Sequence, residues 1–122
     1  MDDIYQEFII SLYKNPINFG KIDGANFHAE IHNSTCGDRI EIFIKLQDDY
    51  VTEAKFIGTG CAISQASSSL FTSYLKGKKL TDLSKITKEN VLELLKIDLS
   101  KNPSRMKCAL LPFEAMKKAI KS

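Results

Sequence analysis

The chain changes its hydrophobic period at Gly58-Thr59-Gly60, and that change limits its fold more than any other feature. From Ala25 to that point, apolar residues recur at every second position; beyond it they recur near every fourth. A period of two places alternate side chains on opposite faces of a strand, whereas a period near 3.6 places them on one face of a helix. Ala25, Phe27, Ala29 and Ile31 alternate with Asn26, His28, Glu30 and His32, which describes a half-buried strand over 25–32. Ile40, Ile42, Ile44 and Leu46 repeat the pattern, and Ala54 and Phe56 carry it through a third run from Tyr50 to Ile57. The connections are short, with Asp48-Asp49 as a turn, so the three runs are expected to form an antiparallel meander.

Helices account for the rest. Ile4, Phe8 and Leu12 give a helix over 3–14, with Asp2 and Asp3 at its dipole-favoured end and Asn15-Pro16 as its stop. Ala62, Ala66, Leu70 and Tyr74, flanked by Ile63, Phe71 and Leu75, predict a helix of about 14 residues. Thr87 caps a short helix ending at Leu95. Asn102-Pro103 starts a last helical stretch that reaches Ile120, and Pro112 interrupts it. The expected fold class is α+β: a small three-stranded antiparallel sheet with an N-terminal helix and C-terminal helices packed on it. With 122 residues, 43% of them hydrophobic, one domain over 1–122 has enough apolar surface for a core.

Charge and segment content exclude several function classes. Seventeen basic residues are interleaved with 15 acidic ones for a formal charge of +2, so no nucleic-acid footprint is expected. No apolar run reaches membrane-spanning length, and "MDDIYQEFII" carries acids rather than a basic leader, which makes a cytoplasmic protein the expectation.

Three cysteines, Cys36, Cys61 and Cys108, cannot all pair within one chain, and no Cys-x-x-Cys pair is present. Each falls at an element boundary: before the second strand, at the mouth of the 14-residue helix, and early in the last helical stretch. Cys36 and Asp38, two apart on an extended segment, would point the same way, and the returning third strand would bring Cys61 alongside. Thiolates suit zinc and iron-sulfur clusters, and an oxygen donor among them is a plausible exchangeable position. A helix N-terminus at Cys61 also favours a negatively charged ligand. Taken singly, each cysteine is more often a small buried apolar residue, and "STCGDR" also reads as an ordinary turn. His28 and His32 lie roughly 13 Å apart at strand rise, too far to share a metal. Ser67-Ser68-Ser69 has no evident His-Asp partnership and reads as close helix packing. "GTGC" lacks the Lys-Ser/Thr of a phosphate loop.

With these residues in hand, the chain resembles the IscU/NifU-N/SufU family of iron-sulfur cluster assembly scaffolds. "NPINFG" at 15–20, "CGD" at 36–38, "GC" at 60–61 with "ASSSL" at 66–70, the "LKGKKL" turn and Cys108 occur in the family's order. The resemblance implies a site of Cys36, Asp38, Cys61 and Cys108 that holds zinc or a transient iron-sulfur cluster. It also implies a cysteine desulfurase as sulfur donor, and recipient apo-proteins or downstream assembly proteins. Lys107 stands where IscU-type members carry His, and "KNPSRMKC" replaces their Leu-Pro-Pro-Val-Lys stretch, so Arg105 and Lys107 resemble a SufU-type ending. Two functional classes follow. In one, the chain is a cluster scaffold. In the other, it is a zinc-dependent sulfurtransferase in which Cys36 accepts persulfide, with Arg105 and Lys107 as electrostatic support.

Overall fold

The computed structural model describes residues 3–33, 37–96 and 98–121. The three alternating runs are strands β1 (Phe27–Asn33), β2 (Asp38–Gln47) and β3 (Tyr50–Thr59), antiparallel in the order β1-β2-β3. Asp48 and Asp49 both take positive φ, 54° and 69°, the backbone of the tight hairpin turn that matches strand twist. Ile40, Ile42 and Ile44 are fully buried on one face, together with Ala54 and Phe56 of β3. The expected register of apolar positions therefore holds along the central strand.

Six helices accompany the sheet among the described residues: α1 (Asp3–Lys14), α2 (Ala62–Leu75), α3 (Leu80–Leu83), α4 (Lys88–Leu95), α5 (Pro103–Ala109) and α6 (Leu111–Lys121). α6 lies across β1 and β2, α2 lies against β3, and α1 packs on α2. Pro112 sits in the first turn of α6, where a missing N–H leaves no helical bond unmade, so the interruption is a fresh start after Leu110. Thr87 caps α4 by accepting from the Asn90 N–H at 3.2 Å. The four-residue α3 has too few positions to show a period; Asp82 holds it by accepting from the Lys79 N–H at 3.3 Å. Among the described side chains of α1, Ile9 and Leu12 are buried and Phe8 is 43% exposed, so of the expected line Leu12 is buried and Phe8 is not, and Ile4 lies outside the described side chains.

The free edge of β3 is covered by the two short motifs flanking α2 in space. Asn18 O accepts from the Phe56 N–H at 3.0 Å, and the Gly20 N–H donates to Phe56 O at 2.8 Å, so "NPINFG" runs beside β3. At the other end of the same edge, the Val51 N–H donates to Lys78 O, and the Gly77 N–H donates to Val51 O, both at 2.8 Å. Unpaired strand edges invite association, and these segments occupy this one. The Asn18 side chain ties the cover to α2, donating to Thr72 Oγ1 at 3.1 Å and Ser73 Oγ at 3.0 Å and accepting from Lys76 Nζ at 2.7 Å.

α2 is buried nearly all round rather than along one stripe: Ser64, Gln65, Ser67, Ser68, Ser69 and Thr72 are all buried with Ile63, Ala66, Phe71 and Leu75. Small hydroxyl side chains let neighbouring backbones approach, and most find partners. Ser69 Oγ accepts from the Ile17 N–H at 3.0 Å, Ser67 Oγ donates to Ala109 O, and Thr72 Oγ1 donates to Ser68 O at 2.8 Å. Ser68 Oγ is the exception, buried with no hydrogen-bond partner among the described residues. A buried unsatisfied hydroxyl costs about 1–3 kcal/mol, so Ser68→Ala is expected to stabilise the protein by about 1 kcal/mol. A lower urea midpoint for the variant would show that the hydroxyl has a partner.

Candidate metal centre

The site starts from Asp38, the first residue of β2 and the one buried carboxylate among the described residues, 4% exposed. Gly37 turns the chain into the strand with φ of 75°, its N–H donating to Asn33 O at 2.8 Å. The backbone is therefore not extended at Gly37, and strand alternation begins only at Asp38. The Asp38 carboxylate lies against Gly60, where an added Cβ would stand 2.8 Å from its Cγ and 3.0 Å from Oδ2. Only glycine leaves that space open. Oδ2 also accepts from the Cys61 N–H at 3.4 Å, so the β3–α2 connection holds the carboxylate on two sides.

Cys61 occupies the N-cap position of α2 in an extended conformation, with its thiol open to solvent and no side-chain cap bond. Ser64, one turn on, donates its hydroxyl to Cys61 O at 3.0 Å and sits 4.0 Å from the Cys61 sulfur. Cys108 is buried near the end of α5. The Ser67–Ala109 hydrogen bond fixes α5 to α2 at the residue next to Cys108. The result is that donor atoms of Asp38, Cys61 and Cys108 all lie within 4.8 Å of one another.

Two thiol sulfurs and one carboxylate oxygen fit zinc by donor chemistry. A tetrahedral zinc with Zn–S of about 2.3 Å sets donor separations at about 3.8 Å, so an approach of about 1 Å would bring the three into range. Cys36, the fourth expected ligand, lies outside the described residues.

A cleft of about 370 Å³ opens beside the two thiols, walled by Ile9, Ile10 and Ile63 and flanked by Gln6 and Arg105. Lys107 faces a different hollow, with His32, Asn33 and Glu114. Arg105 and Lys107 are both exposed and lie on opposite sides of Cys108, so of the two it is Arg105 that borders the thiol cleft. His28 and His32 are exposed on the outer sheet face, paired with Glu41 at 3.7 Å and Glu30 at 2.7 Å, away from the cluster. Ser67 packs as a helix contact, as expected from the serine run. Sequence reasoning passed over Asn33, whose Nδ2 donates to the Cys108 sulfur at 4.0 Å, and Ser64, and it read Gly60 only as part of the "GC" motif. A Ser three residues after Cys61 at a helix start was the readable signal for one of them; Asn33 carried none.

The family model described as the NifU-like N-terminal domain matches residues 4–122. The chain belongs to this family. It is 36% identical to the zinc-dependent sulfurtransferase SufU of Bacillus subtilis (strain 168), over 98% of this chain and 91% of that one. It is also 36% identical to the iron-sulfur cluster assembly scaffold protein IscU 1 of Archaeoglobus fulgidus, over 96% of this chain and 74% of that protein. A candidate iron-sulfur cluster assembly scaffold protein for the SUF system from Fervidobacterium islandicum AW-1 has a similar structure. Its TM-score is 0.79 at 29% identity, covering 97% of each chain. This NifU-like domain carries Asp38, Cys61 and Cys108 as one cluster at the end of the sheet where β2 begins and β3 ends. Among its described residues no helix is long and apolar enough to cross a membrane.

Proposed function

We propose that this protein acts in iron-sulfur cluster assembly, receiving sulfur from a cysteine desulfurase and holding zinc or a nascent cluster on Cys36, Asp38, Cys61 and Cys108. The reading covers 1–122 as one domain working in the cytoplasm. The observation that carries it is the convergence of one carboxylate and two thiols from three separate elements within 4.8 Å. Sulfur donors hold zinc or iron, and the carboxylate supplies the harder donor through which cargo can leave. Zinc, when bound, would keep the thiolates together and out of reach of oxidants. Asp38 is held by Gly60 and the Cys61 N–H, Arg105 borders the cleft, and Ile10 of α1, 41% exposed at the cleft wall, offers the desulfurase an apolar contact there.

A second reading, zinc-dependent sulfur transfer without a held cluster, is favoured by the SufU relative and by Arg105 and Lys107 preceding Cys108. In it, Cys36 is the persulfide acceptor. One experiment tests both. Zinc-loaded and zinc-free protein are compared anaerobically with a pyridoxal-phosphate-dependent cysteine desulfurase, following desulfurase turnover, persulfide mass and cluster transfer to an apo-protein. Cluster transfer from zinc-free protein supports the scaffold. Persulfide on zinc-loaded protein only, lost with Cys36→Ala, supports sulfur transfer. Neither product, with no rise in turnover, overturns the proposal.

A further inference from the structure

Each of the two described thiols has a polar side chain beside it that the ligand set leaves unexplained. Asn33, the last residue of β1, places its amide nitrogen 4.0 Å from the Cys108 sulfur; Ser64 places its hydroxyl oxygen 4.0 Å from the Cys61 sulfur. The two come from opposite sides of the site, one from the sheet and one from the first turn of α2. Neither is accidental surface polarity. Ser64 is fully buried, and Asn33 is half-buried where β1 pairs with the Asp38 end of β2.

We propose that Asn33 and Ser64 are positioning residues that donate hydrogen bonds to the Cys108 and Cys61 thiolates in the metal-loaded protein. The inference rests on the metal-site reading above. A metal-bound thiolate has no proton and only accepts, whereas a serine hydroxyl can turn to donate in either direction. Ser64 now donates to Cys61 O at 3.0 Å, and a rotation of its hydroxyl redirects the same proton toward sulfur. The Asn33 amide needs no such change, because its nitrogen, a donor only, already stands toward the Cys108 sulfur. Donors to a coordinated thiolate withdraw electron density from sulfur, fix its direction and reduce its reactivity toward competing electrophiles. Partners outside the ligand set commonly change metal affinity by about 10–100-fold.

The test uses cobalt(II) as a spectroscopic stand-in for zinc in the full-length protein, with Asn33→Leu, Asn33→Asp and Ser64→Ala as variants and Ser64→Thr as the conservative control. Removing a donor leaves a more electron-rich thiolate, so the sulfur-to-cobalt charge-transfer bands of Asn33→Leu and Ser64→Ala should move to longer wavelength. Loss of the fixed sulfur direction should outweigh the stronger donation of the bared thiolate, so zinc release to a chelator should become about tenfold faster in each. Asn33→Asp, which keeps the shape but offers an acceptor, should match or exceed Asn33→Leu, while Ser64→Thr should retain the wild-type band. The thermal midpoint of metal-free protein is the control, since a purely structural role would lower it without moving the bands. Wild-type bands and release rates in Asn33→Leu and Ser64→Ala would overturn the inference and leave the metal site standing. Absence of thiolate-cobalt bands from the wild-type protein would overturn both.

Discussion

Replacing Cys108 by alanine is expected to lower zinc affinity on the order of a hundredfold. Zinc sites of this kind bind with about 10–16 kcal/mol in total, so one donor of four is worth roughly 3 kcal/mol, and each 1.4 kcal/mol is tenfold. The position favours a clean reading of the effect. Cys108 is buried beside Ala109, whose carbonyl is held by Ser67, so a smaller side chain leaves the α2–α5 contact in place. Competition against a chelator of known affinity measures the loss, and Cys61→Ala should match it. A His28→Ala, His32→Ala double variant should bind as tightly as the parent, since both rings pair with glutamates on the outer sheet face. Full affinity in Cys108→Ala with loss in the histidine variant would place the metal elsewhere.

Asp38→Ala is expected to act differently, on exchange more than on affinity. The carboxylate is the hardest of the donors and so the weakest partner for a soft cargo. It also has a place to go when it leaves: the Cys61 N–H stands 3.4 Å from Oδ2, so a departing carboxylate remains hydrogen-bonded rather than stranded. Buried charge without a partner is costly, and that second partner lowers the cost of letting go. Without Asp38 the cargo rests on sulfur alone, and cluster transfer to an apo-protein should slow by about tenfold, the size of a change of about 1.4 kcal/mol in the barrier. Transfer followed by circular dichroism, in which donor and acceptor clusters differ, measures the rate directly. An unchanged rate with an intact cluster would remove the exchange role from Asp38.

The sheet was legible because its signal is binary: one face of Ile40, Ile42 and Ile44 had to be buried, and a slip of one residue would have exposed all three. The 14-residue helix was legible in length but not in orientation. Ser64, Ser67, Ser68 and Ser69 are as buried as Leu75, and hydropathy has no means of distinguishing a buried hydroxyl from an exposed one. Phe8 failed for the converse reason, an apolar residue at helical spacing that the fold leaves exposed. Asp38, Cys61 and Cys108 could be nominated because each stood at an element boundary, and boundaries gather at one end of a meander. The geometric premise behind the Cys36 and Asp38 pairing did not survive at Gly37, whose φ of 75° turns the chain where an extended strand was expected. Asn33 was beyond reach, since its relation to Cys108 spans 75 positions and has no local pattern.

The hydroxyl-studded surface of α2 fixes the helix in rotation about its own axis as well as in position. Ser69 and Thr72 are tied to Ile17 and Asn18 in the segment before β1, and Ser67 to the end of α5, so bonds leave the helix on two sides of its circumference. A purely apolar helix could roll within a greasy socket at little cost, because dispersion contacts have no preferred direction. This one is keyed. With a Cα radius of about 2.3 Å, a roll of 30° would carry the start of the helix through about 1.2 Å at the backbone and further at the sulfur. That is comparable to the whole approach the three donors need to grip a metal. The angular setting of α2 is therefore the adjustment on which the grip depends, and the hydroxyl ties that fix it share the work among themselves.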